Sequence, residues 1–317
     1  MNDFRRRSFD PQNKLVTVAV GSYNNASYVI STLESIYNQT YAPIELKIID
    51  DASSDNSVAI INEWITKKEI VVQFTVNERN RGVCYVCNAL IKQPANYLVL
   101  IGSDDEMEVD RLGRQIAYFD SLGKEYGLVY SDMSTMDENG ILVDESWFKS
   151  KAIIPLEGDV FEPFLRDKFR FPSPSIIYRS EVFKIVGEYD ERLKTEDIDM
   201  LLRILKHYKV AYCPIVSVRY RILAQSLSRN IGGRLYQDRI NTYRKFLGVS
   251  EGVDTYVKSK IVAWAQRAYY SDYAESNSLL LQSIKIHFTM KSFLLLLFAW
   301  CGVRSEQLSK FMKLIKN

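Results

Sequence analysis

Three pairs of adjacent acidic residues stand out in the 317-residue chain: Asp50-Asp51, Asp104-Asp105 and Glu196-Asp197. Two carboxylates fixed side by side at the end of a buried strand repel, and the repulsion calls for a compensating cation. Mg²⁺ and Mn²⁺ choose oxygen ligands and bind through one or two carboxylates completed by substrate phosphates. A carboxylate aimed by the first turn of a helix can instead act as a general base that takes a proton from an attacking hydroxyl. Each pair also has a structural reading. The Asp, Ser and Asn residues of 50–57 can bond their own backbone and cap the next helix, and the helix dipole favours acids in any first turn. His207 and His287 are the only histidines, so a carboxylate–phosphate metal site is the economical reading of Asp104-Asp105. Cys84 and Cys87 have CxxC spacing, but zinc needs two more ligands and the histidines lie far off. On a helix of small apolar residues that pair reads as packing.

The elements that would position these residues alternate. Residues 15–20 (LVTVAV) form a β-branched run that ends in Gly21-Ser22-Tyr23-Asn24, a buried strand followed by a loop. A helical stripe follows at Val29, Ile30, Leu33 and Ile36. Strands are expected at 45–51, 71–76 and 97–101, with helices between them carrying Val58, Ile61 and Trp64 and then spanning 83–92. Strand–helix alternation at this spacing implies a mostly parallel sheet with crossover helices, whose ligands sit beyond the carboxyl ends of the strands. Those ends are 21–24, 50–51 and 102–105, and all are polar. Beyond 127 the rhythm loosens. A strand at 128–130, an irregular excursion over 135–172, order resuming at 175–178, a helix at 181–186 and a helix opening at Glu196 are expected. After 225 the pattern is helical only, with segments at 234–247 and 253–275.

Composition is that of an ordinary globular protein, 47% hydrophobic and 25% charged with a net charge of +2, which excludes global disorder and gives no reason to expect nucleic acid as a partner. The charge is unevenly placed. Residues 285–317 carry six Lys/Arg against Glu306 alone. Four scattered cysteines are too few for a disulfide framework and point to a reducing compartment. The Arg run near the N-terminus precedes Asp10, Pro11, Gln12, Asn13 and Lys14 rather than an apolar core, so no secretory signal is expected. The uncharged stretch 292–303 is shorter than the roughly 20 residues that span a bilayer. The chain is therefore read as cytoplasmic.

As an ordered set, SYNNASYVISTLESIYNQTY (22–41), ELKIIDDASSDNS (45–57), NRGVCYVCNAL (80–90), YLVLIGSDDEM (97–107) and GEYDERLKTEDIDMLLRI (187–204) resemble family 2 glycosyltransferases. These are inverting nucleotide-sugar enzymes of the GT-A fold, of the bacterial surface-polysaccharide type. The resemblance implies an α/β fold with a Rossmann-like sheet over 15–225, preceded by a tail at 1–14 and followed by a helical appendage at 226–317. It implies a donor-nucleotide site at Gly21, Tyr23, Asp51, Arg81 and Asp104. Tyr23 would stack on the base and Asp51 would accept from its ring N–H. Asp105 would ligate Mn²⁺ or Mg²⁺, Asp104 would bond the ribose or sugar, and Asp197 would be the catalytic base. Gly82 would serve the donor sugar or the backbone turn.

The chain departs from the family in two places. It lacks the QxxRW segment and membrane helices of the processive members, which points to transfer of a single sugar. Tyr220-Arg221-Ile222-Leu223 lacks the histidine of a Tyr-Arg-x-His loop, so Arg219 or Arg221, with Ser226 and Ser228, are the candidates for diphosphate contacts. The expected reaction takes a nucleotide-diphosphate sugar, a UDP-sugar first, to a hydroxyl of a glycan or lipid-linked glycan. Two rival classes are a non-catalytic glycan- or partner-binding module on a transferase fold, and a nucleotide-sugar pyrophosphorylase. The pyrophosphorylase predicts a Gly-rich, basic loop after the first strand, where this chain has GSYNN. In the appendage, Leu308, Phe311, Met312, Leu314 and Ile315 fall near one face of a last helix. Residues 285–317 suit either packing against protein or an anionic membrane surface, which would make the protein peripheral at the inner face of the plasma membrane.

Overall fold

The computed structural model describes residues 13–224 and 232–308. They divide into two compact units, the second formed by Leu193–Thr195 and the chain beyond Ser226.

The first unit is built on a nine-stranded sheet of order β3-β2-β1-β4-β8-β6-β9-β5, with β7 paired to β6. Its first half is parallel. β1 (Val16–Ser22) lies between β2 (Ile44–Asp50) and β4 (Tyr97–Gly102), and β3 (Gln73–Val76) flanks β2. The crossovers are α1 (Val29–Tyr37), α2 (Ser57–Lys68) and α3 (Val83–Leu90). Val16, Val18 and Val20 alternate with Thr17 and Ala19 along β1, and all five are fully buried. A strand buried on both faces reads as a continuous apolar run. Leu33 and Ile36 of α1 and Ile61 and Trp64 of α2 join Val18, Leu46, Ile48 and Val99 in one core.

The second half of the sheet is mixed. After β5 (Glu106–Met107) and α4 (Arg111–Asp120), β6 (Tyr126–Met136) pairs parallel with β9 (Lys209–Arg221) and antiparallel with β8 (Ile177–Arg179) and β7 (Leu142–Asp144). The strand expected at 128–130 is thus eleven residues long, and its polar Ser131, Asp132, Ser134 and Thr135 are buried. The excursion at 135–172 is more ordered than its charge suggests, holding β7, α5 (Trp147–Lys151) and α6 (Phe161–Leu165). The third strand starts at Gln73 rather than 71.

β9 has no counterpart in the sequence reading. Pro214 sits inside it, where a missing N–H would break a ladder. The register of β6 against β9 jumps from Ser131↔Cys213 to Asp132↔Val216, so Pro214 and Ile215 bulge out unpaired. α7 (Val182–Val186) and α8 (Asp197–Leu205) complete the unit.

The second unit is helical: α9 (Arg234–Arg244), α10 (Glu251–Tyr270), α11 (Ser276–Ile286) and α12 (Met290–Trp300). Ser250 and Thr289 cap α10 and α12, each hydroxyl accepting a backbone N–H three residues on, at 3.2 Å. Val257, Ile261, Ala265, Leu279, Leu280, Leu295 and Leu296 form its buried side. Among the described residues no helix is long and apolar enough to cross a membrane. The expected last helix through Phe311 and Ile315, Ser226 and Ser228, and most of the tail at 1–14 lie outside the described residues.

Candidate active site

The register of the parallel half sets the site. Ser22 pairs with Asp50 and Gly21 with Gly102, so β1, β2 and β4 end at one level. The loops that leave them are stitched together. The Asp51 N–H donates to Ser22 O at 2.8 Å, and the Ser103 N–H to Gly21 O at 3.1 Å. Asn24, in a left-handed conformation at φ 52°, accepts from the Ser54 N–H at 2.8 Å, and Asn25 Nδ2 donates to Ser103 Oγ at 2.8 Å. Tyr23 stands out from this lattice, 48% exposed.

Asp50 and Asp51 divide two tasks. Asp50 is fully buried and closes the turn, accepting from Ser22 Oγ (3.0 Å), the Ser53 N–H (2.7 Å) and Ser53 Oγ (2.7 Å). Asp51, 4% exposed, reaches the entrance of α3. Its Oδ1 accepts from Asn77 Nδ2 (2.7 Å) and the Arg81 N–H (2.8 Å), and its Oδ2 from the Gly82 N–H (2.8 Å). Gly82 adopts φ 87°, a conformation that only glycine takes at little cost. Asp51 thereby fixes Arg81, whose exposed guanidinium lies 3.9 Å from the centre of the Tyr85 ring.

Asp104 and Asp105 follow β4. A Cβ on Gly102 would fall 2.6 Å from Asp104 Oδ1 and 3.8 Å from Asp105 Oδ2, so both carboxylates fold back over the bare strand end. Asp105 is 3% exposed, and its Oδ1 accepts the Arg221 N–H at 3.0 Å. The Asp104 carboxylate is met by its own N–H. Burial pushes both above the ordinary carboxylate range, and the Asp104 charge pushes Asp105 further, while Arg221 opposes the shift at each. A site that disfavours its own negative charge fits a divalent cation. Among the described residues no group of three His, Cys, Asp or Glu could hold a metal, so phosphate oxygens and water would have to complete the shell.

The arginines behind this pair have mostly protein partners. Every guanidinium N–H of Arg221 finds a protein acceptor: Nε donates to Asp104 O (3.0 Å), Nη1 to Asp137 O and Glu138 O (3.3 Å each), and Nη2 to Glu106 Oε1 (2.9 Å) and Ser31 Oγ (3.4 Å). Arg219 is more open and bonds Glu106 Oε2 at 2.9 Å and Gly140 O at 3.2 Å. Glu106 is therefore a clamp between the two, a role with no signal in the sequence beyond its place after Asp105. Beneath it, Arg111 is fully buried, donating to Gln115 Oε1 (3.0 Å) and Ile176 O (3.1 Å), with Nη1 unpartnered. Burial pulls its guanidinium down to about 9, against the Asp105 charge that favours the cation.

Asp197 opens α8, half-buried. Its Oδ2 accepts from Ser173 Oγ at 3.0 Å. Ser173 begins a 3₁₀ turn (Ser173–Ser175) tied through Ser175 O to Gln115 Nε2 at 2.7 Å. The helix therefore aims the residue and a buried polar network holds its partner. Glu196 is pushed up to about 8 by burial and then by the Asp197 charge. The buried Cys87 thiol is raised by burial first and then by Glu196, Cys84 and Asp197. α3 is thus a shared wall, with the Gly82 N–H on Asp51 at its start and Cys87 beside Glu196-Asp197 one turn further on. None of the four cysteines is in a disulfide. A groove of about 830 Å³ opens near the amino ends of β1 and β4, between Lys14, Asn88, Tyr97 and Arg179, and contains none of these candidate residues.

A Rossmann-like parallel half joined to a mixed half, with carboxylates gathered at strand ends, defines the GT-A class of fold. Residues 17–169, just under half of the chain, match the Glycosyl transferase family 2 model, a match that stops before Asp197 and β9. Among similar curated proteins is an uncharacterized glycosyltransferase of Methanocaldococcus jannaschii, 28% identical over 66% of this chain and 71% of its own. The putative glycosyltransferase EpsE of Bacillus subtilis is 26% identical over 60% of this chain and 66% of its own. The amylovoran biosynthesis glycosyltransferase AmsE of Erwinia amylovora is 23% identical over 69% of this chain and 80% of its own. Among solved structures, S. aureus TarS 1-349 in complex with UDP-GlcNAc superposes with TM-score 0.66 at 17% identity, over 92% of this chain and 88% of its own. The Pyrobaculum calidifontis mannosyltransferase PcManGT with GDP-Man and Mn²⁺ gives 0.57 at 16%, over 92% and 81%.

Proposed function

We propose that the chain is an inverting glycosyltransferase that moves a single sugar from a nucleotide-diphosphate sugar to a hydroxyl of a glycan or lipid-linked glycan. A UDP-sugar is the preferred donor. The GDP-mannose bound by PcManGT makes GDP-sugars the second class to try. The polysaccharide named for AmsE supports a glycan acceptor. The work is assigned to the cytoplasmic side of a membrane, with 285–317 meeting its anionic surface. The observation that carries the reading is the Asp104-Asp105 pair, converging at the strand end beside Gly21 and Asp51 with raised affinity for protons.

In this reading Tyr23 stacks on the base, Asp51 accepts from the base N–H with the lone pair its three protein donors leave, and Gly21 lets the nucleotide approach the backbone. Arg81, aligned through Asp51, faces the donor sugar. Asp104 holds the ribose or sugar and Asp105 holds Mn²⁺ or Mg²⁺. That ion, when bound, supplies Lewis-acid stabilisation of the departing diphosphate. Arg219 is the arginine free enough to assist at the diphosphate. Arg221, with all its N–H groups engaged, is reassigned to bracing Asp104 and Asp105. Asp197 takes the proton of the acceptor hydroxyl as its oxygen attacks the anomeric carbon from the face opposite the leaving group. The glycosidic bond forms as the bond to the diphosphate breaks, and the anomeric centre inverts. Asp197→Asn should lower transfer by about 10³-fold or more while UDP affinity holds within about twofold; equal loss of both would remove Asp197 from the base role.

A further inference from the structure

The outward side of α12 is an apolar surface that no described residue covers. Successive helix residues turn by about 100°, which puts Ser292, Leu295 and Leu296 on the buried side and Met290, Phe293, Leu294, Leu297 and Trp300 opposite. These five range from 38% exposed at Leu297 to 62% at Met290 and Trp300. Phe288, also exposed, extends the surface, its ring centre 6.1 Å from that of Phe293. A helix apolar on both sides belongs inside a protein or against lipid, and a contiguous exposed patch of this kind marks a docking surface.

Charge selects the occupant. Lys285 and Lys291 precede or open the helix and Arg304 follows it, all exposed, and 285–317 holds six Lys/Arg against Glu306 alone. A two-fold interface between copies would set this basic cluster against itself. An anionic lipid surface would neutralise it. Length selects the pose: eleven residues extend about 16 Å, half the roughly 30 Å hydrocarbon thickness. The helix is too short to span and suited to lie in the plane, with Trp300 and the two phenylalanines at headgroup depth.

We infer that the outward face of α12 is an in-plane anchor for an anionic bilayer, seated by Phe293, Leu294, Leu297 and Trp300 with Lys285, Lys291 and Arg304 at the lipid phosphates. This deepens the membrane-surface reading of 285–317 and rests on it, but is independent of the transferase chemistry.

Flotation of the full chain with vesicles of phosphatidylcholine, alone or mixed with phosphatidylglycerol, tests it beside a Leu294→Glu/Leu297→Glu variant. The full chain should float with the anionic vesicles and be released by salt. The variant should partition about tenfold less or worse, with melting temperature and UDP binding unchanged because both leucines face outward. A full chain that stays with neither vesicle overturns the whole membrane reading. A full chain that floats and a variant that floats equally well overturn the assignment to α12 and leave the wider reading standing. A dimer by light scattering that the variant dissolves, without vesicle binding, gives the face to a second copy and also overturns it.

Discussion

The two acidic pairs that flank β1 are built from the same residues and finished differently. Asp50 and Asp51, at the end of β2, accept six protein donors between them and use these to shape the turn and the entrance of α3. Asp104 and Asp105, after β4, accept one backbone N–H each and sit where burial and mutual repulsion disfavour their charge. A carboxylate saturated by N–H donors is stabilised by the fold and stabilises it in return. A buried pair left short of donors costs stability and is available to a cation. The first pair builds the site, and the second is what remains open in it.

That contrast predicts opposite outcomes from similar substitutions. Asp105→Asn removes charge while keeping the Arg221 bond, so transfer should fall about 10³-fold with the melting temperature unchanged or raised. Asp51→Ala leaves the Arg81 and Gly82 N–H groups and the Asn77 amide without their acceptor, and urea denaturation should report a loss of about 3 kcal/mol. If Asp105→Asn destabilised the protein more than Asp51→Ala, the comparison would be inverted.

Glu196 sharpens the same point through pH. Its folded-state pKa is raised to about 8 from an ordinary glutamate value of 4.5, so the folded chain keeps a proton that the unfolded chain gives up. Its contribution is fully present below about pH 4.5 and is lost as pH rises to about 8. Glu196→Gln should flatten that decline, with its gain over wild type largest near pH 8, measured by denaturation across pH; a slope identical to wild type would place the carboxyl in water. The smallest effect is expected at Gly102. A methyl there would meet Asp104 Oδ1 at 2.6 Å, and the side chain can swing away. Gly102→Ala should therefore weaken metal-dependent nucleotide binding by about tenfold and leave folding nearly intact, as calorimetry and melting would report.

The parallel half of the sheet was legible because its strands are short β-branched runs cut by Gly and Asp, with helical stripes between. Local pattern and local structure agree there. The mixed half was not, because its strands are held by distant partners. Ser131, Asp132, Ser134 and Thr135 are polar yet buried in β6, and Ser131 is satisfied by partners far along the chain, Ser175 and Ser217. Pro214 hides β9 by a bulge that only its register against β6 reveals. The acidic candidates could be found as pairs at strand and helix ends. Glu106, Arg111, Gln115 and Ser173 could not, since each acts through a residue dozens of positions away. The engagement of Arg221 has the same origin: sequence gives it five N–H donors, and only packing shows protein acceptors at each of them.

The central claim is that Asp105 holds a cation on which a nucleotide diphosphate docks, with Asp104 beside it at the ribose or sugar. Calorimetric titration of UDP into the purified chain, with and without Mn²⁺ and repeated with GDP, tests it most directly. UDP binding that requires Mn²⁺ and disappears in Asp105→Ala is the predicted result. Binding as tight without metal, or no binding of either nucleotide under any condition, would contradict it, and the latter would favour a binding module that has lost its donor.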